Sequence, residues 1–317
     1  MIKILKLAFV ATIFSLLAAC ASSPKSVDTW RDGLKSVDIG NERMAYKTYG
    51  DPGNTPVVLL HGMPTSSYLY RNIAPSIAAE GYYVVTPDMV GFGASSKPKD
   101  YAEYGMELQG DRLYQLMNQL NLKNAHFALH DMGGLVGFEL LNKHPEAISS
   151  LFIMNTTAYS EGVSPPKEMK QMSGWMGPMM GSMMRSRFPG KMITGKFIKD
   201  NMGMPENLSK EARDNYWWPI HEGSTHAMRS MAKSFDAVWE KFPEYANSLS
   251  QFEGPAYILW GAQDKVLTQT ALTPQFAKDL KLEEKDVHIS ADASHFVQED
   301  QPGLVSDKIV MFLNQQK

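Results

Sequence analysis

The chain has 317 residues, of which 44% are hydrophobic and 21% charged, and a formal net charge of −3. That size allows one large domain or two small ones, with ample apolar content for a core. The mild negative balance, without a basic run, argues against nucleic acid as a partner, and a lone cysteine, Cys20, excludes an internal disulfide.

The N-terminus has the form of an export signal. Lys3 and Lys6 precede an apolar stretch from Leu7 to Leu17, too short for a comfortable membrane span. It ends in Leu17-Ala18-Ala19-Cys20, which resembles the lipobox of bacterial lipoproteins. In that family the cysteine is lipidated and becomes the mature N-terminus; a plain secretory signal with a chance cysteine is the other reading. Loss of residues 1–20 leaves 29 basic against 34 acidic residues, a charge of −5. Ala21 and Ser22 after the cysteine, rather than an aspartate, resemble lipoproteins sent to the outer membrane. The resemblance thus implies a lipid anchor in the cell envelope, facing the periplasm. Residues 21–34 are expected to form a tether.

Short strands are predicted at Ser36–Ile39 and Met44–Tyr49, around a Gly40-Asn41 turn. Strand and helix patterns then alternate: strand Val57–Leu60, helix Tyr68–Ala79, strand Tyr82–Thr86, helix Gly105–Leu120, strand Ala125–Leu129, a further helix, and strand Ser150–Met154. The rhythm resumes at Ala256–Trp260 and Asp286–Ile289 and ends in a helix near Leu304–Leu313. Such alternation implies a mostly parallel central sheet with helices on both faces. Residues 35–155 and 251–317 form this core. The interval 156–250 has no clear strand and reads as an inserted helical cap, rich in Met, Trp, Pro and charged residues.

The segment Phe127-Ala128-Leu129-His130-Asp131-Met132-Gly133-Gly134 joins an apolar run to a helix through small residues. This is the strand–turn–helix context of a nucleophile elbow, with aspartate in place of serine. A carboxylate there can attack a carbon and form an ester that water must break, which argues against serine esterase or peptidase chemistry. His61-Gly62-Met63-Pro64 follows the strand Val57–Leu60, so its loop should lie beside the elbow. The backbone N–H groups of Met63 and Met132 would then form an oxyanion hole. His295 follows the last strand, in the order nucleophile, acid, histidine, and suits the general-base deprotonation of water. Asp264, after Ile258-Leu259-Trp260-Gly261-Ala262-Gln263, would orient that imidazole and stabilise its cation. The other acid position, after Ser150–Met154, holds the uncharged Asn155. No metal or organic cofactor is required.

The stretch from His61 to Asn72, the stretch Pro87-Asp88-Met89-Val90-Gly91-Phe92-Gly93-Ala94-Ser95-Ser96-Lys97-Pro98, and the tail His295-Phe296-Val297-Gln298-Glu299-Asp300 resemble haloalkane dehalogenases. The resemblance covers roughly residues 40–155 and 255–315, and the cap only loosely. It implies an α/β-hydrolase fold with a cap, and hydrolysis through an alkyl ester on Asp131; entry beneath a Met-rich cap suits a small to medium apolar substrate. Epoxide hydrolases share the fold, the aspartate and the His-Gly-x-Pro loop, but usually carry glycine where this chain has Leu129. An epoxide hydrolase is therefore the alternative.

This chain departs from the dehalogenase pattern at Met132, where the family typically has a tryptophan that holds the leaving halide, and at Met63, where many members have asparagine. Trp175 in the cap is a candidate substitute donor or a plain packing residue. For an epoxide, Tyr216 and Tyr159 are candidate proton donors. Met169, Met172, Met176, Met179, Met180, Met183 and Met184 recur at helical spacing, although intervening glycines and Pro178 interrupt a straight helix. They suit packing over an apolar pocket, contact with a membrane surface near the anchor, or, least well without a His or Cys cluster, thioether binding of Cu(I). A non-catalytic ligand-binding lipoprotein is the reading from another class, and the Asp131, Asp264 and His295 set argues against it.

Overall fold

The computed structural model describes residues 22–317; the export segment 1–20, Cys20 included, lies outside the described residues. Strands β1 (Lys35–Ile39), β2 (Glu42–Tyr49), β3 (Pro56–Leu60), β4 (Tyr83–Pro87), β5 (Ala125–His130), β6 (Ile148–Met154), β7 (Ala256–Gly261) and β8 (Val287–Ser290) form one sheet. Its order is β1-β2-β4-β3-β5-β6-β7-β8. The β1–β2 and β2–β4 pairs are antiparallel and the rest parallel. This is the mostly parallel sheet that the alternating sequence pattern implies, and it agrees with the α/β-hydrolase fold that the resemblance implies.

The central strands are apolar throughout because both faces are covered. Val58, Leu60, Phe127, Leu129, Ile153 and Ile258 enter the core on one side. Their chain neighbours Val57, Leu59, Ala128, Phe152 and Leu259 enter the core on the other. Period-two alternation thus feeds two cores from one sheet.

The chain leaves β3 toward β4 and returns to pair β5 against the opposite edge of β3. In open α/β sheets such a reversal leaves a crevice at the strands' carboxyl ends. The register Leu60↔Leu129 places the loop after β3 and the turn after β5 side by side there.

Three local expectations change. The predicted helix Tyr68–Ala79 is a short turn at Ser67–Tyr70 and a separate helix, Ala74–Ala79, because Pro75 fits a first helical turn and not an interior. The predicted tether contains a helix, Lys25–Arg31, whose Val27 is buried against Trp217 and Trp218. Arg31 forms a two-point ion pair with Glu222 at 2.7 and 2.6 Å. The methionine stripe is divided between the helices Lys167–Ser173 and Gly177–Arg185, with Gly174 extended between them. Between β6 and β7, helices and no strand of this sheet occur among the described residues.

Candidate active site

Asp131 occupies the turn between β5 and the helix Met132–Lys143 with φ 49° and ψ −122°. A non-glycine residue in this region carries strain of about 1–3 kcal/mol, which surrounding bonds must hold. Its N–H donates to Asn155 O at 3.0 Å, and its carbonyl accepts from Thr156 Oγ1 at 2.6 Å. The turn thereby aims the carboxylate away from the sheet. A Cβ on Gly62 would run into the Asp131 side chain, and one on Gly133 would meet Leu60 O at 2.5 Å. Both glycines are required by close approach rather than by loop flexibility.

The loop after β3 reaches the same carboxylate. Met63 N–H donates to Asp131 Oδ1 at 2.7 Å. Met132 opens the elbow helix, so its N–H has no intrahelical partner. His61 is fully buried, accepts Met89 N–H at Nε2 over 3.1 Å and donates from Nδ1 to Gly62 O at 2.9 Å. Burial lowers its pKa, so it is a neutral brace for the loop.

Asp131 Oδ2 faces His295 Nε2 at 3.6 Å, beyond hydrogen-bond range and spaced for approach of a small molecule. On its other side, His295 Nδ1 pairs with Asp264 Oδ2 at 2.9 Å. Both side chains are almost wholly buried. Asp264 Oδ1 accepts the N–H groups of Val266 and Leu267 at 2.8 and 3.0 Å. Burial pulls the His295 pKa down, but the Asp264 and Asp131 carboxylates outweigh it, and the net shift is upward. Burial pushes Asp264 up, yet the His295 charge and hydrogen bond dominate and hold it below the ordinary carboxylate value.

Several supports were not evident as functional from sequence. Asn155 Nδ2 donates to Asp264 Oδ2 at 2.8 Å, while Asn155 Oδ1 accepts Gly261 N–H at 3.2 Å. His130 Nε2 donates to His295 O at 2.8 Å, and burial pushes its pKa down to about 4. Arg71 grips Glu299, four residues beyond His295, at 2.5 and 2.9 Å. Only a polar residue at a strand's carboxyl end marked Asn155 in advance.

A cavity of about 120 Å³ opens above Asp131 and His295, beneath the cap. Seven of its lining residues are methionines: Met63, Met132, Met169, Met172, Met184, Met228 and Met231. Pro64, Leu135, Ile193, Phe197 and Phe242 add further apolar wall. Thr194 lines the cavity with its Oγ1 buried and unpartnered among the described residues.

The cap residues singled out from sequence lie elsewhere. Trp175 is 90% exposed and neither lines the cavity nor packs. Tyr216 is buried, but its hydroxyl bonds Glu299, so it clamps the His295 segment to the cap. Tyr159 gives its hydroxyl to Asp279 at 2.8 Å and packs on Phe276. Neither tyrosine faces the cavity. Helical spacing alone does not reveal which face of a cap helix meets the pocket.

Among known proteins, the chain is 26% identical to a haloalkane dehalogenase of Mycobacterium marinum over 285 residues, covering 87% of this chain and 91% of that one. It is 24% identical to epoxide hydrolase A of Mycobacterium tuberculosis over 312 residues, covering 87% and 96%. The solved haloalkane dehalogenase DpaA of Paraglaciecola agarilytica superposes with a TM-score of 0.72 at 24% identity, over 91% of this chain and 96% of that one. At that identity the superposition carries the fold. The alpha/beta hydrolase fold family model matches residues 55–302, from just ahead of β3 to beyond His295, and the chain belongs to that family.

Proposed function

We propose that the protein hydrolyses small apolar electrophiles through an alkyl ester on Asp131, in the manner of a haloalkane dehalogenase. The carrying observation is the division of labour at one carboxylate: Oδ1 is held by Met63 N–H at 2.7 Å, and Oδ2 faces the cavity and His295. Oδ2 attacks the substrate carbon, and the leaving group departs with the bonding pair. Oδ1 remains the carbonyl oxygen of the ester, already seated where charge develops in the next step. His295 takes a proton from water, whose oxygen adds to the ester carbon. Collapse expels the alkoxide, which recovers the proton from His295, and Asp131 returns to its ionised form by losing its proton to solvent. Asp264 holds the imidazole in the tautomer that leaves Nε2 free to accept.

The cavity supports the substrate class. A cavity of roughly 150 Å³ holds a benzene-sized molecule, and this one, at about 120 Å³, suits substrates of similar or smaller bulk. Its wall is chiefly methionine, which adapts to varied apolar shapes. Epoxide hydrolysis would use the same aspartate; among the described residues the cavity is lined by neither a tyrosine for an epoxide oxygen nor a tryptophan for a halide, and Leu129 ahead of the elbow favours the first reading. Localisation belongs to the same proposal: the Leu17-Ala18-Ala19-Cys20 motif supports export and lipid anchoring, which fatty-acid labelling lost in Cys20→Ala would test.

The deciding experiment is intact-mass spectrometry of a His295→Ala variant incubated with bromoalkanes and epoxides. A gain equal to the substrate less hydrogen bromide, mapped to Asp131, is expected. A gain of one whole epoxide mass there would identify the epoxide reaction instead. A folded variant that forms no adduct with either class would overturn the proposed chemistry.

A further inference from the structure

The cap is apolar on its outside as well as toward the cavity. Trp175 is 90% exposed, Phe188 81%, Met192 61% and Met179 53%, all within or next to the helices Gly177–Arg185 and Arg187–Asp200. The opposite faces of these helices contribute Met184, Ile193 and Phe197 to the cavity wall. One layer of helix therefore separates the pocket from an exposed apolar face. Such faces mark interaction sites, since a soluble surface gains nothing by exposing them.

Charge identifies the occupant. From Trp175 to Asp200 the sequence has five basic residues, Arg185, Arg187, Lys191, Lys196 and Lys199, against one acid, Asp200, in a chain of net charge −3. Arg187, Lys199 and Arg213 line a shallow surface groove together with Phe188, Met192 and a single acid, Asp200, which pairs with Lys196. Arg187 and Lys199 have no ion-pair partner among the described residues. Tryptophan, phenylalanine and methionine beside basic side chains suit the boundary between phospholipid headgroups and acyl chains. Among the described residues no helix is long and apolar enough to cross a membrane, so such contact is peripheral.

The chain's entry point agrees. The helix Lys25–Arg31 packs its Val27 on Trp217, and Trp217 Nε1 donates to Met184 O at 3.1 Å in one of the patch helices. The helix that opens the described residues therefore lies one packing layer from this face.

We propose that this face of the cap docks on the surface of an anionic phospholipid bilayer, seating Trp175, Phe188 and Met192 at the acyl boundary and Arg187 and Lys199 on phosphates. Docking places the thin wall of the cavity against the phase where apolar substrates collect. The docking stands apart from the reaction at Asp131, because its test reads tryptophan emission and not turnover.

The full chain is mixed with vesicles of phosphatidylglycerol and phosphatidylcholine carrying brominated acyl chains. Emission is expected to shift blue and be quenched, and Trp175→Phe should lose the quenched component, which an N-terminal anchor alone cannot produce. Arg187→Ala with Lys199→Ala should lower the ratio of docked to undocked protein about thirtyfold, from the roughly 1 kcal/mol that each basic residue contributes near an anionic surface. Quenching that persists unchanged in Trp175→Phe would overturn the proposal. So would a concentration-dependent dimer that Phe188→Glu converts to monomer without any vesicle contact, since a second copy would then cover the patch.

Discussion

Asn155 donates its side-chain amide to Asp264 at 2.8 Å while its backbone carbonyl accepts the N–H of Asp131 at 3.0 Å. One buried residue after β6 thereby ties the backbone of Asp131 and the carboxylate of Asp264 to the same strand end. Asn155→Ala would keep the backbone bond and remove the donor to Asp264. Leaving a buried polar group unsatisfied costs about 1–3 kcal/mol, so the melting temperature should fall. Ester hydrolysis should slow about tenfold as His295 loses its firm alignment, while the burst of halide release persists. Rapid-mix halide detection separates these steps. A loss of burst and turnover in equal measure would place the role of Asn155 at Asp131 instead.

The pH dependence follows from the opposed effects on His295. Burial lowers its pKa, and the Asp264 and Asp131 charges outweigh that and hold it above the ordinary 6.5. The neutral base is therefore scarce below that value, and turnover should fall on the acid side. Alkylation neutralises Asp131 and removes one of the charges that hold the proton. When ester hydrolysis limits the rate, the acid limb of kcat should lie at lower pH than the His295 titration followed by NMR in the free enzyme. Stability runs the other way: because the folded value is raised, the contribution of His295 is complete below pH 6.5 and is lost as pH rises through the folded value. An acid limb of kcat above the free-enzyme titration would contradict the charge assignment.

Asp131, Asp264 and His295 are legible in the sequence because each sits where a strand ends, and the strands carry a strong apolar pattern. The turn after β5 also requires its small residues, which makes its position plain. The cap is not legible in the same way. Its helices are apolar on both sides, so periodicity cannot tell Met184, which lines the cavity, from Met183, which is exposed. Trp175, Tyr159 and Tyr216 are candidates by residue type alone, and Trp175 and Tyr159 lie in connecting segments whose direction no periodicity reports. Long-range clamps such as Arg71 on Glu299 leave no local trace, because their partners lie 228 positions apart.

Gly62 offers a test of how closely the loop after β3 must approach Asp131. A Cβ there would collide with the Cβ and carboxylate of Asp131, so Gly62→Ala must displace either the loop or the reacting side chain. Misplacement by about 1 Å can cost about a hundredfold in rate. The expected result is that loss in kcat with a folded protein, measured by halide release alongside circular dichroism. Unchanged turnover would show that the loop can retreat without harm, and that the Met63 N–H contact is dispensable.

In the proposed reaction the leaving group would have the fewest partners in the cavity. Among the described residues no tryptophan, asparagine or tyrosine lines it, and the unpartnered hydroxyl donor in the cap wall is Thr194. A departing chloride needs donors in a dry pocket more than bromide or iodide does, because the weaker carbon–halogen bonds break with less charge stabilisation. Bromoalkanes and iodoalkanes should therefore turn over faster than chloroalkanes of the same chain. Met132 and Met63 both line the cavity beside Asp131, so Met132→Trp with Met63→Asn would place an indole and an amide N–H at the departing atom while keeping the backbone donors. A single well-aimed donor is worth about 10²–10³ in rate, and even imperfect placement should raise chloride release at least about tenfold. The larger indole would also fill part of the 120 Å³ cavity, so the gain should shrink with chain length. Chloride release from a folded double variant no faster than from the natural chain would show that missing donors are not what limits carbon–halogen cleavage here.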